Sequence, residues 1–267
     1  MTNIYFHHGG FYAMPYYIGA IQQLQKEYHK PNSKLKRKKI KYYGNSAGGA
    51  FALVCYLVLN GYLDIEQHSQ IFEEQFEKKR PISPNLTPIY FDLLNVMVDC
   101  WPDNLAQLIS GVLHIGVSTR TGHKFISKFA NNYELYNALM CSGTIAGCSN
   151  YESKINDELC LDGAYLFNNE HLPKKTIIIA SDIDAPLCLT IPPKIIRPLL
   201  QEKGKISVKQ YFGHKINNNQ NIILNSTPLQ MAFYFWLHEK MEKGVWEEEI
   251  RKKLVKMEYS YTDQREK

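Results

Sequence analysis

Ser46 lies in Gly44-Asn45-Ser46-Ala47-Gly48, a G-x-S-x-G pattern that follows a short β-branched and aromatic run and opens an apolar stretch. A serine on a tight strand-to-helix turn holds its hydroxyl clear of the backbone, and only very small neighbours leave room for that strained turn. Gly44, Ala47, Gly48 and Gly49 supply the smallness. The start of the following helix would set backbone N–H groups and the positive end of a dipole beside the oxygen that becomes negative in acyl transfer. The pattern therefore points to a nucleophile that hydrolyses an ester. A plain helix N-terminus capped by Ser46 is the competing reading of the same five residues.

Two other segments could complete the chemistry. His8-Gly9-Gly10 ends the first apolar run, Ile4-Tyr5-Phe6. Side chains there would block a carbonyl oxygen from the backbone donors, so glycines suit an oxyanion hole. A nucleotide-phosphate loop ranks lower, because neither G-x-G-x-x-G nor G-K-[ST] is present. Asp162-Gly163-Ala164 closes the run Leu159-Cys160-Leu161 and comes after the small-residue segment Cys141 to Gly147. An isolated Asp-Gly pair would be a surface turn; its place at a strand end makes it a candidate base.

The elements that must position these residues are legible as periodicity. Ile4-Phe6 and Ile40-Tyr43 read as buried strands. Ile18, Ile21 and Leu24 mark a helix behind the first, and Ala50, Leu53, Val54, Leu57 and Val58 mark one behind the second. Leu113 to Ser118, Leu159 to Leu161 and Thr176 to Ala180 read as further strands. Two strand-helix units in succession predict an α/β fold with a largely parallel sheet, its site gathered at the carboxyl ends of the strands. Helices are expected over Ile65 to Phe76 and Ile89 to Trp101, and two amphipathic ones over Leu229 to Met257.

At 267 residues and 45% hydrophobic, the chain can bury a large core. It reads as one domain: a core over 4–180 carrying a helical, lid-like insertion at 64–111, and a mainly helical completion over 181–267. Six cysteines are scattered without C-x-x-C spacing, and most lie in apolar runs, which predicts reduced core residues and no zinc site. No signal-peptide pattern opens the chain, so an intracellular, cytoplasmic protein is expected. The net charge of +5 is concentrated at Lys34, Lys36, Arg37, Lys38, Lys39 and Lys41. That cluster is first a solvated loop and second a peripheral contact with an anionic membrane. No aromatic interleaving suggests nucleic acid.

A glycine loop after strand one, G-x-S-x-G after strand two and Asp-Gly-Ala more than a hundred residues later together resemble the patatin-like phospholipase family over roughly residues 4 to 180. The resemblance implies a three-layer α/β fold and a Ser-Asp dyad without a catalytic histidine. Ser46 would be the nucleophile and Asp162 its proton acceptor, with Gly9, Gly10 and the N–H of Ala47 as the oxyanion hole. Gly44, Gly48 and Gly163 are the supporting motif positions, and Asn168 and Pro173 match residues that often trail the family's Asp-Gly. The family's glycine loop usually reads G-G-G-x-R/K-G. Here His8 stands at the first glycine, Tyr12 at the cation and Ala13 at the last glycine. The implied activity is cleavage of fatty-acyl esters of a glycerolipid or phospholipid through an acyl-enzyme, with no metal or organic cofactor.

Two alternatives compete. A Ser-His-Asp enzyme of the α/β-hydrolase type could draw on Ser46, Asp162 or Asp184, and His214 or His238, with His171 in a loop near Asp162. That fold places more strands before its nucleophile than are seen here. The other is a non-catalytic lipid-binding relative, favoured by the altered glycine loop. His7 and His8 flank the glycines and could touch substrate, but lack metal-ligand spacing.

Overall fold

The computed structural model describes residues 1–213 apart from 34, 36–38, 79–86, 147–148, 150–152, 182–193 and 195. In chain order the elements are β1 (Thr2–Phe6), α1 (Met14–His29), β2 (Ile40–Asn45), α2 (Ala47–Leu59), α3 (Ile65–Lys78), α4 (Thr87–Val98) and α5 (Leu105–Ile109). Then come β3 (Leu113–Thr119), β4 (Gly122–Ile126), α6 (Asn132–Ser142), β5 (Lys154–Ile155), β6 (Glu158–Asp162), β7 (Thr176–Ile179) and α7 (Arg197–Gly213). The expected α/β class is observed, with a mixed, mostly parallel sheet flanked by helices.

The seven-stranded sheet runs β5-β6-β3-β2-β1-β7, with β4 also paired to β3. Strands β7, β1, β2 and β3 are parallel, whereas β4 and β6 run antiparallel to β3. Moving the same way along the sheet from β1 to β2 to β3 with right-handed crossovers puts the two connecting helices on one face. Alternation along the strands shows this. Ile4, Phe6, Tyr42, Ile177 and Ile179 join α1 and α2 in the main core, while Tyr5 and Tyr43 face the other way into a small cluster with Phe167.

Helix α2 is buried along its whole length. It ends where the Asn60 N–H and side chain both bond the Tyr56 carbonyl, and Gly61 turns the chain at φ +77°. Helix α1 carries Pro15 in its first turn and meets α7 closely, since Gly19 lies on the Gln201 backbone and Gly204 on that of Tyr16. The insertion at 64–111 contributes Phe72, Leu93, Leu94, Met97, Leu105, Ala106 and Ile109 to the main core, so its inner face is part of the domain's packing.

The strand expectations match β1, β2, β3, β6 and β7 to within two residues at either end. Elements the sequence reading did not identify are β4, β5, α5, α6 and α7. Cys55, Cys141 and Cys160 are free and buried as expected, but Cys100 is exposed just past α4, because that helix ends at Val98 and the chain turns outward. Cys148, Cys188, the helices expected over Leu229 to Met257, and Lys34, Lys36, Arg37 and Lys38 lie outside the described residues. No described helix is long and apolar enough to cross a membrane.

Candidate active site

The sheet brings Ser46 and Asp162 together through a shared edge of β3. Strand β4 occupies one edge of β3, opposite 115–119, so β2 and β6 must both lie on the other. Strand β2 pairs there as far as Asn45, opposite Gly116, and β6 arrives from the other direction to place Asp162 opposite Val117. The two strands thus meet head-on along one edge and turn away, one into Ser46 and α2, the other into Gly163.

Ser46 has φ +56° and ψ −136°, a region that non-glycine residues avoid at a cost of about 1–3 kcal/mol. Four contacts hold it there. Its N–H donates to the Ser142 hydroxyl at 2.9 Å, that hydroxyl donates to the Gly116 carbonyl at 2.7 Å, and the Gly49 N–H closes on the Ser46 carbonyl at 2.9 Å. The fourth is packing: a Cβ on Gly44 would strike the Gly48 carbonyl, and one on Gly48 the Phe6 and His7 carbonyls. Ser46 itself does not cap the helix through its side chain. The N-cap reading of the motif therefore fails, and the hydroxyl is left for other use.

Asp162 is 4% exposed. Its N–H donates to the Thr144 carbonyl at 2.8 Å, and its carboxylate accepts from the Ala164 N–H at 2.8 Å. Burial raises its pKa to about 7, against the lowering pull of the Ser46 hydroxyl and the Ala164 N–H. A Cβ on Gly163 would run into the Gly116 carbonyl, so the turn after the aspartate has to be glycine to sit against β3. A carboxylate with these neighbours is a competent proton acceptor near neutral pH, where an exposed one at an ordinary pKa of about 4 would be weak.

The glycine loop leaves β1 at the same level, because Phe6 lies opposite Gly44. Gly10 has φ +54°, and the loop is tied down by the Ala13 N–H on the Gly9 carbonyl and by the Tyr17 hydroxyl on the His7 carbonyl. Among the described residues nothing accepts a hydrogen bond from the N–H groups of Gly9, Gly10 or Ala47. His7 is 8% exposed, and its Nδ1 donates to the His8 carbonyl at 3.0 Å; burial takes its pKa down to about 4, and that of His8 well below the usual value. Both rings are neutral at pH 7.

No described histidine hydrogen-bonds Ser46 or Asp162. His171 uses Nδ1 to accept the Asn168 N–H at 3.1 Å, within a short 3-10 turn over Asn169–His171, and stacks on His123 at 4.8 Å. Asp184, His214 and His238 lie outside the described residues. No group of three or more potential metal ligands occurs among the described residues. Sequence reasoning did not single out Ser142 as the partner of the nucleophile's N–H, nor Asn45, whose side chain bonds Tyr5 and His123. Asn45 fills a free position of the G-x-S-x-G pattern, so its type carries no signal, whereas Ser142 falls in the small-residue segment before the aspartate.

No protein-family model and no curated protein matches the chain.

Proposed function

We propose that the chain is a serine acyl hydrolase of the patatin-like type, acting on fatty-acyl esters of a glycerolipid or phospholipid. The observation that carries this reading is a positive-φ serine at a strand-to-helix turn, set against a buried aspartate whose pKa is raised to about 7. Ser46 attacks the ester carbonyl while Asp162 takes the hydroxyl proton. The N–H groups of Gly9, Gly10 and Ala47 receive the negative oxygen of the tetrahedral intermediate. Collapse expels the alcohol, which takes the proton from Asp162 and leaves an acyl-Ser46 ester. Water, deprotonated by the same carboxylate, releases the fatty acid and restores the serine. The lipid nature of the substrate rests on the family resemblance, and peripheral contact with an anionic membrane on the basic segment around Lys34 to Lys41.

The test is incubation of the purified protein with a mixed lipid extract, read by mass spectrometry for species that lose a fatty acid. Loss of acyl chains with the unaltered protein and none with Ser46→Ala is expected. Release at the same rate from both proteins would overturn the assignment.

A further inference from the structure

Asn45 is fully buried and makes two side-chain hydrogen bonds that join separate strands. Its Nδ2 donates to the Tyr5 hydroxyl of β1 at 2.9 Å, and its Oδ1 accepts from His123 Nε2 of β4 at 3.2 Å. The same Oδ1 fills the space over Gly116 and Gly163: a Cβ on Gly116 would overlap it, and one on Gly163 would stand 3.0 Å away. The carboxamide therefore sits where β2, β3 and the Asp162–Gly163 turn converge, next to Ser46 in the chain and packed against the glycine that follows Asp162. On the opposite side of the elbow the Ser46 N–H is held by Ser142.

We propose that the Asn45 carboxamide is a positioning residue: it ties the residue before Ser46 to β1 and β4, packs against the Asp162–Gly163 turn, and keeps the ground beneath the pair neutral. This inference rests on the acyl-hydrolase reading and adds to it a group that touches neither substrate nor the reacting atoms. A carboxamide can fill both roles because it offers one donor and one acceptor without charge. A carboxylate at the same place could accept from both Tyr5 and His123, yet would add a negative charge beside the base. The Tyr5 hydroxyl, bonded to Asn45, already feels the Asp162 charge.

The ionisable groups around Asn45 and Asp162 are Tyr5 and His123, which bond Asn45; Tyr90 from α4, which feels the Asp162 charge; and Tyr17 and His7, which lie beside Tyr5, with His171 stacked on His123. Burial drives Tyr5 and Tyr90 up, His123 down to about 3 and His7 to about 4, so in the unaltered protein these four keep their charge state between about pH 5 and 9. His171 bonds Asn168 rather than Asn45 and is the same in every variant compared.

The experiment is the rate of Ser46 labelling by a fluorophosphonate probe as a function of pH, which reads nucleophile activation without knowledge of the lipid. In the unaltered protein the rate should rise along a limb centred near pH 7. Asn45→Asp, shown folded by circular dichroism, should move that limb to higher pH by at least one pH unit, and Asn45→Ala should slow labelling at least tenfold. A purely structural asparagine would lower the yield of folded protein without moving the limb. A folded Asn45→Asp protein with the limb unmoved overturns the proposal. Should Asn45→Asp not fold, Tyr5→Phe reads the same lock. Labelling slowed at least threefold supports the proposal, and an unchanged rate overturns it. Failure of the unaltered protein to label at Ser46 would instead overturn the acyl-hydrolase reading on which the inference stands.

Discussion

The Ser142 hydroxyl accepts the Ser46 backbone N–H at 2.9 Å and donates to the Gly116 carbonyl at 2.7 Å, so one side chain at the end of α6 fastens Ser46 to β3. Ser142 is fully buried, and no water can replace it cheaply. Ser142→Ala is expected to leave a buried donor unsatisfied, at a cost of about 1–3 kcal/mol in folding stability. Activity should fall roughly tenfold, because about 1.4 kcal/mol of lost restraint at the transition state is a factor of ten in rate. Urea melts and ester-hydrolysis rates on the same preparation check both halves. Unchanged activity would show that the helix turn alone holds the elbow.

The strain at Ser46 makes a prediction that separates chemistry from folding. Ser46→Ala and Ser46→Gly should both lack activity, but only glycine relieves a φ of +56°. The glycine variant is expected to be more stable than the alanine variant by about 1 kcal/mol, which for a chain of this size is roughly 2–4 °C in melting temperature. Equal melting temperatures would mean that the elbow is held without strain.

In the proposed reaction Asp162 would set the pH profile. With its pKa raised to about 7 by burial, the carboxylate fraction, and with it the hydrolysis rate, should climb through that pH and level off above it. Asp162→Asn is expected to remove nearly all activity at every pH, whereas His171→Ala, which loosens the Asn168 turn and a ring stack on His123 but bonds neither Ser46 nor Asp162, should keep most of it. A histidine replacement as damaging as Asp162→Asn in a folded protein would favour a three-residue mechanism.

The same carboxyl has a cost in stability. The folded chain holds a proton on Asp162 that the unfolded chain, with an ordinary pKa near 3.8, has already released. Stability is therefore lost as pH rises from about 4 to about 7, reaching a ceiling of roughly 4 kcal/mol. Buried neutral histidines act in the opposite sense. His7, His68 and His114 are lowered to about 4 and His123 to about 3 by burial; the unfolded chain binds protons there first, so stability falls as pH drops below about 6.5. Denaturant melts should show Asp162→Asn more stable than the unaltered protein at pH 8 and the gap closing by pH 4.5. A gap independent of pH would place the aspartate's pKa near its ordinary value.

Much of this arrangement is visible in the sequence, and the limits have physical causes. Strands β1 and β7 carry short β-branched and aromatic runs, and β2 and β3 alternate apolar with polar or small residues, so each leaves a period the sequence shows. Strand β4, Gly-His-Lys-Phe-Ile, is only half-buried along its length and follows a tight turn, so no run announced it. Helix α6 does carry signals: Asn131 caps it by accepting the Glu134 N–H, and Leu135, Ala138 and Leu139 form its buried stripe. The tyrosines interspersed among them masked that stripe. Ser46 and Asp162 stood out because each sits in a motif whose neighbours are forced to be small. Asn45 did not, because its partners Tyr5 and His123 come from distant points of the chain and meet only once the sheet is assembled.

The place of β7 beside β1 bears on how the molecule is made. The His7 N–H, which leads into the glycine loop, is satisfied by the Ile179 carbonyl at 3.0 Å, yet some 170 residues of chain separate the two. During synthesis the serine elbow can be fastened once β3 and α6, which carry Gly116 and Ser142, have emerged, while β1 still presents an open edge of the kind that pairs with other chains. Only when residues 176–179 leave the ribosome is that edge closed and the loop anchored. A nascent or truncated chain ending before β7 would thus hold a serine elbow beside an unanchored loop, and would be both inactive and prone to aggregate.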